Sequence, residues 1–110
     1  MAQAVDERLE RFRREYLPSL VREFRPAKVL VFGSRARGDA LKGSDLDVLV
    51  VAEAFEGVRW LDRSVHVLER VRVPFAIEFL CYTPDEYARK VEEFGIVRTA
   101  AAEGVELLTA

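Results

Sequence analysis

The chain has 110 residues, half of them apolar and a third charged, and its 17 Lys and Arg against 19 Asp and Glu leave a net charge of −2. That mixture predicts a single small globular domain over 1–110. It excludes a disordered tail, a fibre or a basic module that coats DNA, although a local cluster can still bind phosphate. The one cysteine, Cys81, closes no internal disulfide and builds no multi-thiolate zinc site, so a stapled secreted scaffold is excluded and a reducing cytoplasm is expected. No stretch reaches the roughly 18 apolar residues of a membrane span, and the N-terminus opens with charges.

Val5, Leu9, Phe12, Tyr16, Leu20 and Phe24 recur at helical spacing among Arg and Glu residues, which predicts an amphipathic first helix. Pro18 lacks an N–H, so the helix is expected either to kink there or to restart with Pro18 in its first turn. Pro26 ends the segment. Ala27 to Phe32 is apolar, largely β-branched and short, and stops at Gly33, as a buried strand does. A polar loop from Gly33 to Ser44, punctuated by Gly38 and Gly43, leads into a second strand over Asp45 to Val51. With no clear crossover helix between them, these two strands are expected to run antiparallel.

Val58, Leu61, Val65, Leu68 and Val71 predict a helix from about Val58 to Arg70, with His66 at its surface or boundary. Val73 to Tyr82 reads as a third strand, Pro74 being tolerable only near its start. Thr83, Pro84 and Glu86 form the opening of a last helix, with Thr83 as N-cap and Glu86 completing a capping box. That helix is expected to turn Tyr87, Val91, Phe94 and Val97 inward and to run out near Gly104, before a short edge strand over Val105 to Leu108. The order helix, strand, strand, helix, strand, helix predicts an α+β fold, a small mixed sheet covered by helices.

Asp45 and Asp47 stand two apart on a strand and so share one face, with Leu46 on the other. Two neighbouring carboxylates repel unless a cation lies between them, and Mg²⁺ takes oxygen ligands of this kind together with waters and phosphates. The plainer alternative is a strand start frayed into solvent. Glu78 sits among Ala76, Ile77, Phe79 and Leu80, where an unpaired carboxylate is costly. Either an arginine pairs with it or it shares a metal with the two aspartates. Gly33-Ser34 directly after a strand allows close backbone approach to a phosphate, although a plain turn explains it too. Gly33 and Gly38 have Walker A spacing, but Asp39-Ala40 stands where Lys-Ser/Thr belongs, so a P-loop is rejected.

Taken together, the stretch GSRARGDALKGSDLDVLV from Gly33 to Val50, with an acid in the next strand, resembles the minimal nucleotidyltransferases of the DNA-polymerase-β-like superfamily. The resemblance extends over nearly the whole chain. It implies Asp45, Asp47 and Glu78 as catalytic and metal-binding residues for two Mg²⁺ ions, with Glu78 also a candidate general base. It further implies ATP as the donor and Gly33 and Ser34 on its phosphates, with Arg35, Arg37 and Ser44 beside them. Solvated loop roles for the two arginines remain open.

Small members of the family are antitoxins paired with a helical HEPN-type toxin. The resemblance therefore implies transfer of AMP to a hydroxyl of such a partner, in the cytoplasm and without direct DNA binding. A non-catalytic antitoxin that acts by binding alone is the alternative. Exposed helix faces also leave a homodimer open.

Overall fold

The computed structural model describes residues 6–40 and 44–109. Val5 and Gly43, both named in the sequence reading, lie outside the described residues. The first helix begins at α1 (Glu7–Arg11), where the Asp6 carboxylate accepts hydrogen bonds from the Arg8 and Leu9 amides at 3.0 and 3.1 Å. This satisfies two of the donors that every helix start leaves open. A π-helical turn over Phe12–Tyr16 follows, closed by the Leu17 amide on the Phe12 carbonyl, and then α2 (Leu17–Phe24). Pro18 occupies the first turn of α2, so of the two outcomes open at that proline the restart is the one observed. Arg25, with φ 47°, reverses the chain.

Four strands, β1 (Lys28–Phe32), β2 (Leu46–Val51), β3 (Ile77–Tyr82) and β4 (Val105–Thr109), form one mixed sheet in the order β3-β2-β1-β4. β1 pairs antiparallel with β2, as expected, and with β4 on its other side. β3 runs parallel to β2 and forms a sheet edge. A parallel neighbour needs a crossover. Here it is a short 3₁₀ turn (Glu53–Phe55) followed by α4 (Trp60–Arg70). The short α3 (Ser34–Arg37) stands between β1 and β2.

The sheet separates two apolar layers. On one face Val29, Val31, Leu46, Val48, Val50, Phe79 and Cys81 pack with Leu9, Phe12, Leu20 and Phe24 of the first helix and with Val67 and Val71 from α4 and its end. On the other face Leu30, Phe32, Leu49, Val51 and Tyr82 pack with Val97 and Ala100. A buried aliphatic or aromatic side chain contributes roughly 1.5–3 kcal/mol, so the two layers account for most of the drive to fold.

Two expectations need correction. The last helix is two helices, α5 (Pro84–Lys90) and α6 (Ile96–Glu103), separated at Gly95, whose φ of 147° no L-residue adopts comfortably. Phe94, expected inward, falls in that break and is 93% exposed, while Val97 is buried as expected. In α4 part of the expected apolar stripe also faces the wrong way: Leu61, Val65 and Leu68 are exposed and Arg63 and Val67 are buried, whereas Val71, just past the helix, is buried as expected. Arg63 is buried because the Val58 and Cys81 carbonyls and the Glu86 carboxylate receive its guanidinium. The Thr83–Glu86 capping box forms as read from the sequence, with both reciprocal hydrogen bonds in place.

Candidate functional site

Asp47 is the centre of the constellation. It stands opposite Phe32 on β1 and opposite Glu78 on β3, so the Gly33 bend and the third carboxylate flank it on two sides. Strand alternation turns Asp47 and Glu78 to the same face as Leu49, Val51 and Tyr82, and Asp45 immediately precedes β2. That face is covered further along by α6.

Gly33 has φ 77°, and a Cβ built on it would stand 2.4 Å from Asp47 Oδ2. Glycine is therefore required there twice over, by conformation and by space. The backbone at the start of α3 thus lies directly against a carboxylate. Burial raises the pKa of Asp47 above the ordinary carboxylate range; the charges of Glu78 and Asp45 and a hydrogen bond with Glu78 add to the rise, and Arg37 opposes it.

Glu78 is exposed, because β3 is a sheet edge, so the desolvation cost assigned to it from its apolar sequence neighbours does not apply. Among the described residues its side-chain partner is Asp47, and no arginine pairs with it. The donor set is purely carboxylate oxygen, which suits a hard divalent cation. Among the described residues no three His, Cys, Asp or Glu side chains are so placed that they could hold a metal ion as they stand.

The two loop arginines part company. Arg35 is buried: its Nη1 pairs with Asp6 Oδ2 at 2.9 Å and its Nε donates to the Ser44 carbonyl at 2.8 Å. It thus ties the Asp6 cap of the first helix to the residue before Asp45, and its guanidinium is committed inside the fold, which corrects the expectation of a phosphate-facing or solvated side chain. Ser44 takes part through its carbonyl. Arg37 is exposed, pairs with Asp39 at 3.3 Å and lines a cleft of about 270 Å³ with Phe32, Gly33 and Asp47. The far wall of that cleft is α6, through Ile96, Thr99, Ala100 and Glu103. Sequence reasoning missed these α6 residues. The signal was present only as the face of α6 adjoining the buried Val97 and Ala100, and nothing in the sequence aims it at Asp47.

The nucleotidyltransferase domain family matches residues 13–100, which includes the whole constellation. The chain belongs to this family. Among solved structures, this nucleotidyltransferase domain is similar to a Sulfolobus solfataricus protein assigned to the nucleotidyltransferases, at 25% identity and a TM-score of 0.58 over 81% of this chain and 82% of that one. It also aligns, at 13% identity and a TM-score of 0.48, with a chain from a toxin-antitoxin structure with AMP-PNP, over 97% of this chain and 75% of that one. A search of the curated proteins gives no match. In this nucleotidyltransferase the paired aspartates lie at the start of β2 and the third acid on the adjoining strand, next to the glycine bend.

Proposed function

We propose that the protein transfers AMP from ATP to a hydroxyl on a partner protein, the partner being a HEPN-type helical toxin as the sequence resemblance implies. The observation that carries the transfer reading is the close packing of Gly33 against Asp47, with Glu78 in register beside it. A triphosphate seated on the Gly33-Ser34 backbone lies next to Asp47, whose pKa is raised by burial and, less, by the neighbouring charges of Glu78 and Asp45. Asp45, Asp47 and Glu78 would hold Mg²⁺, whose chemistry is to neutralise phosphate charge and to lower the pKa of an attacking hydroxyl.

The chain's own residues do the rest. Gly33 and Ser34 orient the phosphates, and Arg37 adds positive charge on the cleft side. Ile96 and Thr99 line the side of the cleft facing Asp47, where Ile96 offers apolar surface to the nucleoside. Glu78, exposed at the sheet edge, takes the proton of the acceptor hydroxyl as its oxygen bonds to the α-phosphorus, and the bond from that phosphorus to pyrophosphate breaks. The whole chain acts as one minimal domain, 1–110, and Arg35 holds the loop that carries this apparatus.

The test is incubation with ATP labelled at the α-phosphate, Mg²⁺ and the helical partner, read by transfer of label to the partner. Label is expected with the wild type and not with Asp45→Ala/Asp47→Ala. Undiminished label with that double variant overturns the reading. Tight partner binding by a wild type that binds no Mg·ATP would replace it with neutralisation by binding alone.

A further inference from the structure

The cleft beside Asp47 carries another carboxylate, which the metal reading does not use. Glu103 is exposed and lines the α6 wall of that cleft, across from Gly33 and Asp47. It is the last residue of α6, where the free carbonyl groups of a helix end disfavour negative charge, and no basic residue of the last turn offsets it. Its charge works against its own helix. Among the described residues no hydrogen bond or ion pair engages it.

The neighbouring glycine fixes where Glu103 stands. Gly104 lies so close to β1 that a Cβ on it would come within 2.4 Å of the Ala100 carbonyl oxygen and 3.0 Å of that of Val31. Val105 then pairs with Val31, and in an antiparallel pair each step back from β4 is a step forward along β1. Glu103 is thus carried to the end of β1 at which Gly33 turns. It flanks the glycine bend from the β4 side, as Asp47 flanks it from the β2 side.

With a triphosphate on Gly33-Ser34 and its α-phosphorus at the paired acids, the next part of the nucleotide is the ribose, one ester oxygen further on. The phosphates offer a carboxylate no donor and repel it. The ribose offers two vicinal hydroxyls, and the two oxygens of one carboxylate can accept from both, as acidic side chains do for ribose in dinucleotide sites. The base lies farther out. Ile96, on the same wall and seven residues back along α6, is about 10 Å away along the helix axis and is apolar. The wall therefore runs from a charged end suited to the sugar, past Thr99, to an apolar end suited to the base.

We infer that Glu103 is a specificity-determining residue: its carboxylate accepts hydrogen bonds from the 2′- and 3′-hydroxyls of the ribose and so selects ribonucleoside triphosphates over deoxy counterparts. The inference rests on the transfer reading above and adds which sugar the cleft takes. A sugar without those hydroxyls leaves the carboxylate facing it unpaired, which is how a polar site rejects an analogue that lacks the donor.

The test compares Mg·ATP with Mg·2′,3′-dideoxy-ATP by calorimetry, on the wild type and on Glu103→Ala. The wild type is expected to bind ATP about tenfold or more tightly than the dideoxy analogue, as hydrogen bonds to a charged acceptor warrant. Glu103→Ala should bind the two alike, chiefly through a loss for ATP. Its melting temperature should be unchanged or higher, because a charge that opposes the helix end is gone, so the lost affinity is not a folding defect. In the labelling assay the same variant should raise the KM for ATP and leave kcat nearly unchanged.

Equal affinity of the wild type for the two nucleotides overturns the inference. So does a Glu103→Ala variant that loses both in the same proportion, which would assign the carboxylate to the base or to a metal. A wild type that prefers ATP to the dideoxy analogue yet labels no partner defeats the transfer reading and supports the sugar contact. A wild type that binds neither nucleotide overturns both.

Discussion

Gly33 and Asp47 are packed so closely that a single added carbon would lie 2.4 Å from the carboxylate oxygen. The end of β1 and the start of β2 are therefore one functional unit, and neither can be altered without moving the other. Gly33→Ala forces a side chain into a backbone with φ 77° and against Asp47 at once. It is expected to destabilise the fold by about 1–2 kcal/mol and to lower transfer by roughly a hundredfold or more. Chemical denaturation and the labelling assay check the two effects separately.

Asp47 gives a prediction of opposite sign for stability. Its pKa in the fold is raised, so the folded chain holds that proton more tightly than the unfolded chain does. The ionised group thus works against the fold at neutral pH, and this penalty fades as pH falls through the raised pKa. Asp47→Asn should abolish transfer and, without metal, leave the melting temperature unchanged or higher. Addition of Mg²⁺ should raise the melting temperature of the wild type and not of this variant.

The Arg35–Asp6 pair is buried, and Arg35 also holds the Ser44 carbonyl. Removing one partner strands the other charge, so Arg35→Met and Asp6→Ala are each expected to cost about 2–4 kcal/mol. The double variant should cost less than the sum. A thermodynamic cycle by urea unfolding measures the difference. Arg37→Met, at an exposed position, should leave stability nearly unchanged and weaken ATP binding.

The Arg63 guanidinium, with the Thr83 cap, draws the Glu86 pKa down from 4.5 to about 2. The folded pKa lies below the unfolded value, so the stabilisation is full above about pH 4.5 and is lost as pH falls toward 2. Glu86→Gln should remove about 1–2 kcal/mol at neutral pH, screening by solvent included, and flatten the acid limb of the stability curve. Stability measured from pH 7 down to pH 2 checks this.

Burial pushes the Cys81 thiol up to about 12. It is expected to resist alkylation in the native protein and to react at the ordinary rate only after unfolding. Mass spectrometry after a timed iodoacetamide pulse reads the outcome.

The sequence showed best where one residue type has one job. The Thr83–Glu86 capping box, the Gly33 bend and the alternation of Asp45 and Asp47 were all legible because each follows from local geometry. What escaped it depends on contacts distant in the chain. α4 carries two stripes of similar spacing, and the burial of Arg63 and Val67 in place of Leu61, Val65 and Leu68 turns on Glu86, which neutralises Arg63 from another helix. Arg35 looked like a loop cation because its partner, Asp6, lies 29 residues away. Glu78 was singled out for a burial that the sheet order denies it, yet the register with Asp47 gives it a better reason to be there.

Trp60 is the sole tryptophan of the chain, its ring tilted by 46° against Tyr82 with centroids 4.8 Å apart, and it lines a groove of about 280 Å³ beside β3. Its emission therefore comes from one known place. Any guest that enters the groove changes the polarity around that indole, and a fluorimeter can follow its arrival in real time without an attached dye.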